Sequence, residues 1–140
     1  MDVMGPFDRW RALTWREQRL VLASALAVGA AAAGLRLAGV RRALSLASRA
    51  PHGRPFTSEQ IRDRVNAVTR AGRYVPGGSC LAQSLALSWM LRRHGVDAAV
   101  RVGVRTDGGF DAHAWVECDG VALNDASRPG GRYAPFEGSL

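Results

Sequence analysis

The first fifty residues of the chain carry a helical pattern of apolar positions. Thr14 can cap a helix in which leucine and alanine recur at every third or fourth position up to Ala31. A glycine-containing break over residues 34–39 separates this helix from a second, short one over 40–48. We therefore predict that residues 1–50 form a helical extension that packs on the rest of the chain or on a partner.

One stretch of this extension, residues 20–35, has no charge between Arg19 and Arg36. It is shorter than the roughly 20 apolar residues that a membrane-spanning helix needs, and alanine and glycine dilute it. It fits a helix that is buried or faces a partner, and it also allows a membrane contact through residues 20–35. A secretory signal is a third interpretation, which the acidic residues among the first 17 positions disfavour.

Two further helices follow a turn rich in proline and glycine. Thr57 and Gln60 have the spacing of a capping box, and the helix that they begin should end near Gly72. A tight loop over 75–79 leads directly into another helical pattern over 80–94.

The remaining pattern predicts strands. Alternating valines favour a strand over 98–104, a second strand covers 110–117, and a turn at Asp119-Gly120 leads to a third over 121–125. Helices followed by a small antiparallel sheet predict an α+β fold.

Composition narrows the class of protein. The 140 residues suffice for one core domain, which we assign to residues 51–140. All 19 basic residues are arginines against 12 acidic ones, a net charge of +7 that suits an acidic partner or a membrane surface. The arginines are scattered without an aromatic-interleaved stripe, so no nucleic-acid partner is expected. With Cys80 and Cys118 as its two cysteines, the chain is expected in the cytoplasm with both thiols reduced.

Cys80 follows a glycine loop and begins a predicted helix. The unpaired N–H groups and the positive end of the helix dipole stabilise a thiolate there, and the same N–H groups can bind an oxyanion. Alternatively, Cys80 is a small buried apolar residue, as most free cysteines are. His113 favours catalysis, because a cysteine at a helix start and a histidine in a later strand form the arrangement of Cys–His nucleophilic chemistry.

The hairpin between the second and third strands decides which side chain can support the histidine. A two-residue loop pairs Cys118 with Val121, whereas a three-residue loop pairs Glu117 with Val121. The choice matters because a shift of one residue moves every side chain of the third strand to the other face.

Asp125 is the preferred third member of the site. The three-residue loop places Asp125 across from His113 on the same face, whereas the two-residue loop leaves Asn124 as a diagonal substitute. We predict the three-residue loop, because the chemistry needs a carboxylate beside the imidazole. No metal is expected, since the cysteines and His113 lack the paired short spacings and the fourth ligand of a zinc site.

Four strings of the sequence, taken together, resemble the transglutaminase-like leader peptidases of lasso-peptide biosynthesis. They are CLAQSLAL at 80–87, LRRHG at 91–95, FDAHAWVE at 110–117 and LND at 123–125. The similarity is close over residues 75–126 and vaguer over the N-terminal helices. Each string alone is weak, and their order and spacing make the resemblance specific.

The resemblance implies a papain-like fold with Cys80, His113 and Asp125 as a Cys–His–Asp triad, Trp115 as a wall of the cleft, and no cofactor. It implies cleavage of a ribosomal precursor peptide at the junction of leader and core, after which a separate macrolactam synthetase (the cyclase) closes the ring. Because residues 1–50 are predicted to be helical, the chain resembles the stand-alone peptidase of a split system that uses a separate leader-recognition protein. A transglutaminase-type acyltransferase and a non-catalytic scaffold that presents the leader remain alternatives.

Overall fold

The computed structural model describes residues 5–47, 49, 52–105, 111–124 and 134–135. Within these ranges the helices are α1 (Pro6–Arg11), α2 (Trp15–Leu37), α3 (Gly39–Ala47), α4 (Ser58–Gly72) and α5 (Cys80–Arg92). The strands are β1 (Ala98–Arg105), β2 (Asp111–Cys118), β3 (Val121–Ala122) and β4 (Ala134–Pro135). They form an antiparallel sheet in the order β3-β2-β1-β4, and the predicted α+β fold is confirmed.

Local capping fixes where the two long N-terminal helices begin. The Thr14 hydroxyl accepts the Glu17 N–H at 3.3 Å, and the Glu17 carboxylate accepts the Thr14 N–H in return. Thr57 and Gln60 make the same reciprocal pair at the start of α4. Both predicted helix starts are confirmed, because each depends on side chains three residues apart. The short helix α1, which has a proline at its start, was not predicted.

One core joins the helical layer to the sheet. Helix α2 packs against α4 and α5 through a stripe one turn apart, formed by the buried residues Ser24, Val28 and Ala32. Helix α5 continues this core to the sheet through Leu87, Leu91, Ala98 and Val116. Helix α5 therefore lies between the N-terminal helices and the strands, and it fixes the position of its first residue, Cys80, relative to both.

Helix α2 has 23 residues and is longer than the uncharged stretch that predicted it. Among the described residues it is the one helix long and apolar enough to cross a membrane, by length and composition only, and it lies near the N-terminus. Core helices of soluble proteins and signal sequences share these properties.

The loop between β2 and β3 has two residues, so the predicted three-residue loop is wrong. Cys118 pairs with Val121. Asp119 and Gly120 both have positive φ, 50° and 78°. This conformation belongs to the type I′ turn, which Asp-Gly favours because both residues tolerate the left-handed region. The prediction assumed that only Gly120 was left-handed, and this assumption shifted the register by one residue.

Candidate functional site

Cys80 is the first residue of α5, and Ser79 caps the helix before it. Ser79 has an extended backbone, and its hydroxyl accepts the Ala82 N–H at 3.2 Å. The N–H groups of Cys80 and Leu81, in the first turn, have no partner within the helix. The half-buried thiol therefore lies at the positive end of the helix. The two unpaired N–H groups beside it point out of the N-terminal end of the helix. The serine directly before the helical pattern could have predicted this cap.

The loop before Cys80 folds tightly because it contains glycine. The Gly78 N–H donates to the Val75 carbonyl at 3.0 Å. A Cβ atom at Gly78 would lie 2.5 Å from the Gly72 carbonyl oxygen and 2.9 Å from that of Val75, so no other residue fits without moving backbone. The Gln83 side chain, which the sequence left without a role, donates to the Gly78 carbonyl at 2.9 Å and holds the loop on α5.

Replacing Gly78 by alanine is expected to lower the free energy of unfolding by about 1–3 kcal/mol, because the new methyl group overlaps two carbonyl oxygens. The loop carries Cys80, so thiol-dependent activity should fall by about 100-fold. Gly34→Ala is the matched control, since a Cβ atom at Gly34, inside α2, meets nothing within 4 Å. Thermal unfolding and an activity assay on both variants check this. Equal stability of Gly78→Ala and the unmodified chain would contradict the tight loop.

Two serines on the same side of α5 as Cys80 tie the helix to the sheet. Ser88 donates to the Ala98 carbonyl at 2.7 Å. The Ser84 hydroxyl accepts from Nδ2 of the Asn124 side chain at 3.2 Å, and Oδ1 of the same side chain accepts the Val116 N–H at 2.7 Å. Both serines are buried. Sequence analysis missed these contacts, although serines four residues apart in an apolar helix were a signal for them.

These ties fix the direction in which α5 runs along β2. Ala98 pairs with Cys118, so the two ties lie two residues apart on β2 and one turn apart on α5. The distance between the two ties is similar on both elements, because four helical residues rise about 6 Å and two strand residues span about 6.6 Å. One more turn reaches Cys80, and two more strand residues reach Ala114, the neighbour of His113. Cys80 and His113 are therefore at the same end of the contact between helix and strand.

His113 and Trp115 share one face of β2. Their ring centroids are 6.1 Å apart with the rings inclined by 24°. Trp115 is 1% exposed, and its indole N–H has no hydrogen-bond partner among the described residues. His113 is half-buried and lies opposite Gly103 on β1, so β1 places no side chain directly across from the imidazole. Trp115 therefore supports the ring of His113 from within the sheet.

Alternation along β2 places His113 and Val116 on opposite faces, and the Val116 side chain lies in the core with α5. Asn124 reaches both Ser84 and the edge of β2, so the first turn and a half of α5 runs beside this edge. His113 thus lies at the Cys80 end of β2, but on the face opposite to the one that Val116 packs against α5.

The third strand ends earlier than predicted. The Leu123 N–H still donates to the Val116 carbonyl at 2.8 Å, but the Val116 N–H then bonds the Asn124 side chain instead of the next backbone carbonyl. The pairing therefore cannot be extrapolated to Asp125, which lies outside the described residues. The Asn124 amide bonds Ser84 at its nitrogen and Val116 at its oxygen, and its role as the diagonal substitute beside His113 stays a prediction.

The second cysteine lies at the other end of β2. Both cysteines are free thiols. Burial raises the pKa of the Cys118 thiol, and the carboxylates of Asp119 and Asp97 raise it further. Among the described residues, no group of three His, Cys, Asp or Glu side chains could hold a metal ion.

Comparison with known proteins gives two matches. The family model described as the transglutaminase-like superfamily matches residues 10–137. The Microcin J25-processing protein McjB of Escherichia coli is 45% identical over 47 residues, which cover 34% of this chain and 22% of that relative. The match thus spans about a fifth of the relative's length. No solved structure gives a significant match.

Proposed function

Because the chain belongs to the transglutaminase-like superfamily, we propose that it is a cysteine peptidase that removes the leader from a ribosomal lasso-peptide precursor. The lasso-peptide assignment is supported by the similarity to a protein named for processing microcin J25. The observation that carries the peptidase assignment is the placement of Cys80. It is the first residue of a capped helix whose serine ties lead along β2 toward His113.

The proposed reaction begins when His113 takes the proton of the Cys80 thiol. The thiolate attacks the carbonyl carbon of the scissile bond, and the oxyanion that forms is bound by the Cys80 N–H at the helix start. The imidazolium then protonates the amine of the core peptide as the C–N bond breaks. Water hydrolyses the remaining thioester and releases the leader with a free carboxylate.

Two further residues have supporting roles in this proposal. Asp125 accepts a hydrogen bond from His113 and keeps the imidazole in the orientation that the thiol needs. Trp115 lies on the same face of β2 as His113 and limits rotation of the imidazole; because it is 1% exposed, its proposed role as a wall of the cleft is to back the imidazole from inside the protein.

The chemistry of the product implies the partners. A freed core amine is the nucleophile that an ATP-dependent macrolactam synthetase requires, so we propose that such a cyclase acts next. We assign recognition of the leader to a separate small protein. The reaction is assigned to the cytoplasm, where a reactive thiol stays reduced.

The direct test is mass spectrometry of a lasso-type precursor peptide incubated with the chain in ¹⁸O water, with and without the leader-binding protein. The expected products are a core peptide with a free amine and a leader that carries ¹⁸O in its new carboxylate. Addition of an ordinary primary amine distinguishes acyl transfer, in which the leader is released as the amide of that amine in place of the ¹⁸O-labelled acid. If the precursor stays intact and the cyclase nevertheless needs this chain for its own reaction, the result would instead support a non-catalytic scaffold that presents the leader.

A further inference from the structure

Helix α2 is apolar on two opposite sides, and only one of them is packed. The packed side is the stripe of Ser24, Val28 and Ala32. At about 100° per residue, the side chains that point the opposite way form a second stripe. The outer stripe, as we name it, carries large apolar side chains that are 55–88% exposed: Trp15, Leu22, Leu26 and Leu37.

The outer stripe continues into an apolar groove. The groove, of about 670 Å³, lies between α2, α3 and α5. Leu26 belongs to both the stripe and the groove, and Leu46 of α3 and Trp89 of α5 form the other walls. Leu46 and Trp89 are themselves exposed. A contiguous apolar surface of this kind marks an interaction site, whereas single exposed apolar side chains do not.

The charges around the outer stripe indicate what covers it. Residues 1–49 contain eight arginines and three acidic residues, so a net charge of +5 out of the chain's +7 lies in this part. The cations flank the stripe and leave its middle free: Arg16 and Arg19 at one end, and Arg36, Arg41 and Arg42 at the other. The Arg19 guanidinium lies 4.7 Å from the centre of the Trp15 ring. Tryptophan and arginine at the ends of an apolar stripe are the anchors of helices at a lipid interface.

We propose that α2 and α3 bind to the surface of an anionic lipid bilayer, with α2 parallel to the membrane plane and the outer stripe in the boundary between headgroups and acyl chains. The helix does not span the bilayer, because Ser24, Val28 and Ala32 hold it against α4 and α5. Spanning would strip away these contacts. The flanking arginines bind lipid phosphates.

The Cys80 loop contacts the packed side of α2, so this orientation places it on the side of the helix away from the membrane surface. A Cβ atom at Gly77, three residues before Cys80, would lie 3.3 Å from the Ala32 side chain and 3.6 Å from the Arg36 guanidinium. The loop therefore rests on the C-terminal half of α2. Membrane binding itself depends only on α2 and α3, and it stands whether or not Cys80 is a nucleophile.

Vesicle flotation of the full chain tests this proposal. We expect binding to phosphatidylcholine vesicles that contain phosphatidylglycerol and little binding to phosphatidylcholine alone. Leu26→Gln should weaken the partition by about tenfold, and Arg41→Gln and Arg42→Gln by about fivefold each. The matched controls are Val121→Gln, an exposed apolar residue of β3, and Arg54→Gln with Arg62→Gln, which lie outside the stripe. These should bind as the unmodified chain does.

Three results would overturn the proposal. The first is equal binding of Leu26→Gln and Val121→Gln. The second is resistance of the bound chain to alkaline carbonate, which would mean that α2 spans the bilayer. The third is a lipid-free dimer that Leu26→Gln converts to a monomer, which would assign the outer stripe to a second copy of the chain. Leu26 is 78% exposed, so its replacement leaves the fold intact, as circular dichroism should show.

Discussion

Cys80→Ala is expected to abolish cleavage of the precursor, with a loss of at least about 10⁴-fold in kcat, because it removes the thiol that forms the proposed acyl-enzyme. The fold should remain, since alanine suits the first position of a helix and the Ser79 cap does not involve the thiol. Mass spectrometry of the precursor over time gives the rate, and thermal unfolding gives the stability.

Cys118→Ala is the matched control for this variant. Cys118 is also a free thiol, but it lies at the far end of β2 and packs against the core. Because burial raises its pKa, it stays protonated near neutral pH and should react slowly with iodoacetamide. We expect Cys118→Ala to cleave the precursor at the rate of the unmodified chain. In the unmodified chain, one equivalent of iodoacetamide should label Cys80 before Cys118. Undiminished cleavage by Cys80→Ala would remove Cys80 from the mechanism.

Asp125→Asn is expected to lower kcat by about 10²–10⁴-fold while leaving the melting temperature unchanged, because the proposed role of this carboxylate is to orient the imidazolium. Asn124→Ala should behave in the opposite way. It leaves the Val116 N–H and the Ser84 hydroxyl without the Asn124 amide, at a cost of about 1–3 kcal/mol for each buried group. Activity of Asn124→Ala below its melting temperature should fall much less than that of Asp125→Asn.

Measuring the two variants together separates catalysis from stability. The pH dependence of kcat/KM should change in Asp125→Asn, because this variant removes a carboxylate from the proposed triad, and it should not change in Asn124→Ala. The reverse pattern would assign the third position of the triad to Asn124. A loss of stability in both variants with unchanged kinetics would mean that neither residue supports His113.

Local interactions explain why much of the fold was predictable. Thr14 and Thr57 each bond a side chain three residues away, so the starts of α2 and α4 can be predicted from a short stretch of sequence. The strands β1 and β2 follow from alternation. Cys80 and His113 could be proposed as a catalytic pair because a glycine loop before a helix and a histidine in a strand are short patterns with a chemical reason.

The hairpin shows where local patterns stop being sufficient. Asp-Gly favours the two-residue loop, and the three-residue loop was predicted because the proposed chemistry needs Asp125 beside His113. At Asn124 the chain stops pairing with β2, and the bond from the Asn124 side chain to Ser84, 40 residues earlier, decides where this happens. Such a contact exists only after α5 has packed on the sheet, so no window of sequence contains it.

Helix α2 shows most clearly the difference between what the sequence determines and what tertiary packing determines. The sequence by itself determined that residues 20–35 form an apolar helix with cations at its ends, because periodicity and charge are properties of neighbouring residues. It could not determine which side is buried, since every side is apolar. Packing against α4 and α5 selected the stripe of Ser24, Val28 and Ala32 and left Leu22, Leu26 and Leu37 exposed. Only the tertiary structure decides this, because burial depends on partners that are distant along the chain.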